Sequence, residues 1–147
     1  MKSSLDSNRP IYLQIKESIE EDILNSQLAP DGQIPSINQL VSFYNINPVT
    51  VLKGINLLVD EGTIYKKRGL GMYVSSDAPD KLKKRFSQTF YHEHIEPLTL
   101  LAKPLGFTLP ELHEMIDRAW KQDAIVPETG HETAQKGVKA ERNTLST

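Results

Sequence analysis

The strongest constraint on the fold is a pair of helix-start signals that lie close together in the chain. Ser36 stands three residues before Gln39, the spacing of a capping box, in which a hydroxyl and an amide each satisfy a free backbone N–H. Asn47 precedes Pro48, so a good N-cap residue is followed by a residue suited to the first helical position. A basic, glycine-containing segment follows at 66–71 and is typical of a hairpin. Two short helices, a tight turn and a hairpin predict a winged helix-turn-helix.

Length and composition limit the class of protein. The chain has 147 residues, no cysteine and a formal net charge of −2. This length allows one moderate core or two small ones, and the lack of cysteine excludes disulfides and thiolate metal sites. We find no signal-peptide pattern near the first residues and no apolar run of the roughly 18 residues that a membrane span needs. We therefore expect a soluble, cytoplasmic protein with no membrane partner.

Positive charge is concentrated in one part of the chain. Residues 16–31 are mainly acidic, whereas residues 66–85 carry seven Lys and Arg against two Asp. Such a patch attracts phosphates within a Debye length of about 8–10 Å. The alternative is a solvent-exposed face of lysines, which is the usual reason for such a run. Its position at a hairpin tip favours a polyanionic partner.

The first part of the chain is predicted to be one domain over residues 9–77. Apolar residues such as Ile15, Ile19 and Ile23 recur at helical spacing. Gly62 is placed to end the second helix of the helix-turn-helix, which is the expected recognition helix. The predicted elements are a helix from Pro10 to near Leu28, a short strand at 33–35, helices at 37–44 and 48–61, and strands at 64–68 and 72–75. The helix-turn-helix thus covers about 37–61 and the wing about 63–75, with the wing turn at 69–71 and a linker at 76–79.

The second part, residues 78–126, is predicted to be helical. An apolar stripe runs through about 80–103, where Pro97 should kink or divide the helix, and a capping box at Thr108 and Glu111 starts another helix. Two helices cannot bury such stripes alone, so they either fold back on the first domain or pair with a second copy. The expected dimerisation residues are Phe86, Phe90, Leu98, Leu101, Leu105, Leu112 and Ile116. Residues 127–147 lose apolar periodicity and are expected to form a disordered tail.

The residue types at the start of the second short helix suit the major groove of DNA. Asn47 can cap the helix and offer a donor to phosphate, Thr50 offers a hydroxyl, and Val49 can contact a thymine methyl. Lys53 can reach phosphate or guanine, and Arg68 suits the minor groove. The glycines of the hairpin permit close approach, although they also simply make a tight turn. The predicted DNA-binding residues are Ser36, Asn38, Asn47, Val49, Thr50, Lys53, Lys67, Arg68, Gly69 and Gly71.

Several separated motifs within residues 10–76 resemble the DNA-binding domain of the GntR family of bacterial transcription regulators. They are Pro10-Ile11-Tyr12-x-Gln14-Ile15, Gly32-x-Ile34-Pro35-Ser36, Thr50-Val51-x-x-Gly54-x-x-x-Leu58-x-x-Glu61-Gly62 and Arg68-Gly69-x-Gly71-x-Tyr73-Val74. Asn47-Pro48 and the short helical second part resemble the YtrA subfamily, which has a small dimerisation region. Arginines common in the family are replaced by Asn38, Pro48 and Leu52, and Gly54 stands in place of the usual alanine.

The resemblance implies a homodimeric repressor of a small operon, with transporter genes as the suggested targets, that binds a pseudo-palindromic double-stranded DNA operator. The alternative is a winged-helix adaptor that binds proteins and reads no DNA sequence. A small-molecule effector stays open, with no ligand identified. Phe86, Phe90 and Trp120 are expected to be core residues rather than pocket residues.

Catalysis is not expected, because the sequence has no nucleophilic, phosphate-loop or paired-carboxylate signature. His92 and His94 suggest a metal site, but residues two apart on a helix point to different sides. No metal and no cofactor is therefore predicted.

Overall fold

The computed structural model describes Met1 and residues 4–123 as mainly helical, with one two-stranded antiparallel sheet. The elements are α1 (Ile11–Leu24), α2 (Ile37–Tyr44), α3 (Pro48–Asp60), β1 (Ile64–Lys67), β2 (Gly71–Val74), α4 (Ala78–Phe90), a π-helical turn (Tyr91–Ile95), α5 (Glu96–Ala102) and α6 (Leu109–Asp123). The predicted fold class is confirmed. The chain divides into two compact units, Met1–Pro97 and a second that begins at Leu98. None of the helices in the described part of the chain is long and apolar enough to cross a bilayer.

The core of the first unit lies mainly between α1 and α3. Ile15, Ile19 and Ile23 on α1 are at most 1% exposed, as the helical spacing predicts. Val51 and Ile55 on α3 are fully buried in the same core. α1 therefore supports α3, the predicted recognition helix, along the buried face of α3.

Gly54 allows α1 and α3 to approach closely. A Cβ at this position would lie 2.6 Å from the carbonyl oxygen of Tyr12 and 3.6 Å from the Cβ of Ile15. Glycine inside a helix is less favourable than alanine by about 1 kcal/mol. Here the close packing of the two helix backbones leaves no space for a methyl group.

The hairpin has a third, very short partner. Gln33 forms an isolated bridge to Tyr73, and the N–H of Ile34 donates to the carbonyl of Met72 at 2.9 Å. The short strand predicted at 33–35 is thus reduced to this bridge. Lys67 pairs with Gly71, so the wing turn comprises residues 68–70 and begins one residue earlier than predicted.

Two other predicted boundaries are wrong. α1 ends at Leu24 rather than near Leu28, because Ser26 turns left-handed (φ 60°) and the N–H groups of Gln27 and Leu28 both donate to the carbonyl of Asp22. The predicted linker at 76–79 is also wrong in its second half, since Ala78 and Pro79 form the first turn of α4.

The first turns of α4 belong to the core of the first unit. Ala78 and Leu82 are buried there at 1% and 2% exposure, and Phe86 is half-buried against the same cluster. The stripe that begins near residue 80 therefore folds back on the first domain over its first part. The division into residues 9–77 and 78–126 stays a prediction.

The π-helical turn lies directly before Pro97. Proline lacks an N–H, and in an α-helix its ring would crowd the carbonyl four residues earlier. Here each backbone hydrogen bond spans five residues, the spacing of a π-helix, and the N–H of Glu96 donates to the carbonyl of Tyr91. The predicted division at Pro97 takes this form, and α5 continues through the proline.

The second unit has little core of its own. Among residues 98–122 only Ala102 and Leu112 are buried. The predicted capping box at the start of α6 is confirmed: the carboxylate of Glu111 accepts from the N–H of Thr108 at 2.8 Å, and the N–H of Glu111 donates to the hydroxyl of Thr108 at 3.4 Å. The same carboxylate also accepts from the hydroxyl of Thr108 at 3.0 Å. Accepting from the N–H and then from the hydroxyl of Thr108 lowers the pKa of Glu111 below its ordinary value.

Two aromatic residues expected in the core are exposed in the single chain. Phe90 is 53% exposed and Trp120 is 80% exposed. The single chain therefore leaves more than half of each residue exposed, and their burial between paired helical regions stays a prediction. The predicted disordered tail lies outside the described residues.

Candidate nucleic-acid interface

The start of α2 is held by the predicted capping box. The hydroxyl of Ser36 accepts from the N–H of Gln39 at 3.1 Å, and the side-chain oxygen of Gln39 accepts from the N–H of Ser36 at 2.8 Å. Ser36 and Asn38 are both exposed. The capped first turn therefore presents small polar side chains to solvent, next to the positive end of the helix dipole.

The start of α3 is equally well ordered. The side-chain oxygen of Asn47 accepts from the N–H of Val49 at 2.8 Å, and Pro48 occupies the first helical position. Since capping uses this oxygen, the amide NH₂ of Asn47 is the group left to donate to a phosphate. Val49 is 72% exposed, whereas Thr50 is partly buried.

Lys53 lies across the first helix rather than standing free. Its Nζ is 3.9 Å from the centre of the Tyr12 ring, which is a cation–π contact. At an exposed site such a contact is worth about 0.5–1 kcal/mol, so a phosphate can compete for the ammonium group. Tyr12 on α1 therefore positions Lys53 beside the start of the recognition helix.

Two stacked tyrosines stiffen the wing. The rings of Tyr65 and Tyr73 lie 5.9 Å apart, and the Nζ of Lys67 lies 4.4 Å from the Tyr73 ring. The hydroxyl of Tyr65 donates to Asp31 at 3.0 Å. Desolvation, and then this hydrogen bond, raise the pKa of Tyr65. Lys67 thus projects from a platform that is tied to the body of the domain.

The tip of the wing requires its glycines. Gly69 and Gly71 have positive φ of 73° and 118°, and a Cβ at Gly71 would lie 2.7 Å from the Nε2 of Gln33. That Nε2 donates to the carbonyl of Leu70 at 3.1 Å, which fixes the turn. Leu70 itself is 65% exposed.

A cleft of about 450 Å³ separates the start of α2 from the wing. The N-cap and first turn of α2 form one wall, and the basic strand β1 with its turn forms the other. It is lined by Gln33, Ile34, Ser36, Ile37, Asn38, Lys66, Lys67, Arg68, Gly69, Gly71 and Met72. The structure brings six of the predicted DNA-binding residues to one cleft, while the predicted residues of α3 and its N-cap lie elsewhere on the same unit.

The basic run of the sequence separates into two groups. Lys66, Lys67 and Arg68 at the wing form no ion pair with any acidic residue that the structure describes. In contrast, Lys81 pairs with Asp77 at 2.7 Å, and Arg85 pairs with two glutamates. Lys83 and Lys84 on α4 also form no ion pair with a described acidic residue, but they do not line the cleft. Only the wing part of the run therefore offers uncompensated charge beside the cleft.

Arg85 belongs to a charge cluster that joins α1, the end of α3 and α4. One oxygen of Glu20 lies 2.8 Å from both the Nζ of Lys16 and the Nη2 of Arg85, and Glu61 lies 3.1 Å and 3.4 Å from the same two cations. Glu20 is only 1% exposed. Burial opposes the charge on Arg85, but Glu20 and then Glu61 outweigh it and raise its pKa.

The comparisons with known proteins agree on one family. Residues 11–74 match the model of the bacterial regulatory proteins of the gntR family. The chain is 34% identical to the HTH-type transcriptional repressor YtrA of Bacillus subtilis over 110 residues, which cover 75% of this chain and 84% of YtrA. The chain belongs to the GntR family. It is a homologue of YtrA, and a DNA-binding transcription regulator rather than an enzyme.

Two further comparisons show how far the similarity extends. The chain is 33% identical to the uncharacterised regulator YurK of B. subtilis over 61% of its own length, but this match covers only 36% of YurK. A crystal structure of a GntR-family regulator from Bacteroides thetaiotaomicron superposes with a TM-score of 0.57 at 29% identity, and covers 77% of this chain and 98% of the other. Similarity to small family members therefore extends beyond the winged domain.

Three residues of this GntR-family surface were missed among the predicted site residues. Leu52 is 38% exposed, and Gln33 and Tyr12 hold the wing turn and Lys53. Leu52 follows Val49 by three residues, so helical spacing alone places both on one face. No local signal reveals the other two, because their partners lie far away in the sequence.

The histidine pair lies in the π-helical turn. The Nδ1 of His92 is 2.9 Å from Glu96, and His94 packs against the ring of Phe90 with 5.3 Å between the ring centres. The two imidazoles thus have different neighbours. No group of three potential metal ligands occurs among the residues that the structure describes.

Proposed function

We propose that this GntR-family chain is a homodimeric repressor that binds a pseudo-palindromic operator in double-stranded DNA. The observation that carries the proposal is the cleft between the capped start of α2 and the wing, with three uncompensated cations beside it. A duplex backbone supplies phosphates for both walls of such a cleft. Each copy would occupy one half-site, with the half-sites an integral number of helical turns apart.

The first turn of α3 is assigned to the major groove. Val49 and Thr50 then contact base edges, and Asn47 donates to a phosphate. Lys53 leaves the Tyr12 ring for a phosphate or a guanine. Asn38 and Ser36, in the first turn of α2, hold the neighbouring backbone.

The wing is assigned to the sugar–phosphate edge and the minor groove. Arg68 is its probe, because a guanidinium suits a narrow groove with strong negative potential. Lys67 contacts phosphate from its tyrosine platform, and the bare backbone at Gly69 and Gly71 permits close approach.

The helices after the winged domain are assigned to dimerisation. Exposed apolar side chains are dense here, and a surface of this kind is unusual for a protein that works as a single chain. The residues assigned to the interface are Phe86, Phe90, Leu98, Leu101, Leu105, Leu112 and Ile116. Of these, Phe86 is half-buried and Leu112 is buried within the single chain.

Repression follows when the bound dimer blocks transcription of a small operon, and the name of the homologous YtrA repressor supports this direction of control. Transporter genes are the suggested targets, and a small-molecule effector is still to be identified. We assign residues 9–77 to operator binding and residues 78–126 to dimerisation.

The test is selection of operator-like duplexes by the full chain from a random pool, followed by fluorescence anisotropy across a salt series. Phosphate contacts release counterions, so the logarithm of the affinity should fall linearly with the logarithm of the salt concentration. Arg68→Ala should weaken binding to all duplexes, whereas Val49→Asp should abolish sequence preference. Lys83→Ala removes the same charge from α4 and should have little effect. An affinity that ignores salt would contradict the proposal.

A winged-helix adaptor for proteins is the second candidate, because Val49 and Leu70 place apolar side chains on the exposed surface. This function predicts that selection yields no enriched duplex. It also predicts equal binding to unrelated DNA sequences.

A further inference from the structure

The exposed face of α3 is largely apolar at the positions that would meet base edges. Val49 is 72% exposed and lies opposite the buried face formed by Val51 and Ile55, and Leu52, at the edge of that face, is 38% exposed. Residues three apart are neighbours on a helix surface. Val49 and Leu52 thus form a continuous apolar patch within the first two turns of the recognition helix.

This patch borders a shallow groove of about 400 Å³ along α3. The groove is lined by Val49, Leu52, Lys53, Asn56, Leu57 and Asp60. Its single cation, Lys53, is drawn aside onto the Tyr12 ring, and Asp60 gives the far end a negative charge that disfavours phosphate. Apolar contact near the helix start is therefore the chemistry that this surface offers to a base pair.

The apolar group that DNA displays in the major groove is the C5-methyl group of thymine. Building on the proposed function, we propose that Leu52 is a second specificity residue. Together with Val49 it binds thymine methyl groups, so each half-site carries thymines under the first two turns of α3. Bidentate guanine recognition by arginine, which needs a planar cation at these positions, has no equivalent on α3.

The surroundings favour DNA over an apolar protein segment as the occupant. The patch adjoins the helix N-terminus, where the dipole is positive, and belongs to the same unit as the wing with Lys66, Lys67 and Arg68. A polyanion that also displays methyl groups is complementary to both features at once.

The experiment replaces thymines by deoxyuridine one at a time in the duplex selected with the full-length protein. Deoxyuridine keeps every hydrogen-bonding group and lacks only the methyl. Burial of one such group is worth about 0.8 kcal/mol, so each contacted position should lose about fourfold in affinity. Positions outside the contact should be unaffected.

Variants then assign each methyl to a side chain. Leu52→Ala should remove the deoxyuridine effect at one set of positions, and Val49→Ala at another. Lys53→Ala is the matched control, since it should weaken binding while leaving the methyl effects unchanged. Both apolar side chains are exposed, and circular dichroism checks that the fold is retained.

The outcomes separate the two proposals. Selective duplex binding that is insensitive to every deoxyuridine replacement would overturn the methyl-reading role and leave the proposed function in place. Failure to select any duplex would overturn the proposed function and this inference with it. The deoxyuridine series uses the unaltered protein, so it decides the question even where a variant fails to fold.

Discussion

The two units of this chain treat apolar side chains in opposite ways. In the first unit, apolar residues of α1, α2, α3 and the hairpin form one closed core. In the second, Leu100, Leu101 and Leu105 are between 64% and 70% exposed. Both units nevertheless begin a helix with the same type of capping box, at Ser36 and at Thr108. Local signals therefore establish helices in both units, while among the described residues a closed apolar core forms only in the first.

This contrast separates what each unit needs. The winged domain can present polar residues and unpaired cations to DNA because its core is already complete. The part of the second unit that the structure describes lacks such a core, and a second copy is the occupant that we propose for its apolar surface. Four predictions test the contrast, and they follow in order of decreasing expected effect.

The first prediction concerns the exposed apolar surface. Leu101→Asp should dissociate the proposed dimer, because a carboxylate would be buried without a partner. Loss of the second half-site should weaken operator binding by about 10²–10⁴-fold. Sedimentation and anisotropy measure the two effects. Lys103→Asp, a charge change on the same segment, should leave the dimer intact, and a wild-type chain that is monomeric at micromolar concentration would remove the proposed contrast.

The second prediction concerns the charge cluster of the first unit. Glu20→Ala should lower the free energy of unfolding by about 3 kcal/mol, because it leaves two cations near a buried site. Lys81→Ala breaks an exposed pair instead and should cost at most about 1 kcal/mol. Urea unfolding measures both variants. Equal losses of unfolding free energy in the two variants would mean that the cluster does not stabilise the packing of α4 on α1 and α3.

The third prediction sets helix propensity against packing. Propensity alone predicts that Gly54→Ala stabilises the protein by about 1 kcal/mol. The contact with the Tyr12 carbonyl predicts a loss of about 1–3 kcal/mol instead, because the new methyl group has no space. Asn56→Ala, on the exposed face of the same helix, is the control and should be neutral or slightly stabilising. Thermal unfolding gives the sign, and a more stable Gly54→Ala protein would refute the packing argument.

The fourth prediction uses the difference between the two capping boxes. Glu111 has a lowered pKa, so its contribution to stability is fully present above the pKa of the unfolded chain and is lost as pH falls through the lowered folded value. Gln39 does not titrate, so the box at Ser36 gives no such dependence. Unfolding of wild type and Glu111→Gln between about pH 3 and 6 should show a small acid-dependent component only in wild type. Parallel curves would contradict this role.

Features written in a few adjacent residues were predictable. They are the two capping boxes, Pro48 at the start of α3, and Gly62, which follows the end of α3. Each depends on local hydrogen bonds and backbone angles, and these predictions agree with the structure. The assigned DNA contacts remain predictions. One prediction failed where distant segments meet: the expected linker became the first turn of α4, because Ala78 and Leu82 pack into the core of the first unit.

The amino-acid sequence by itself determined the order of helices and strands, the capped helix starts and the basic glycine turn, since each depends on neighbours a few residues away. Only the tertiary structure revealed why Gly54 is needed, how Tyr12 holds Lys53, and that Arg85 is bound to a buried glutamate. Those features depend on helix axes and strand edges that approach each other across long stretches of sequence. Their geometry is decided by packing, which no local pattern encodes.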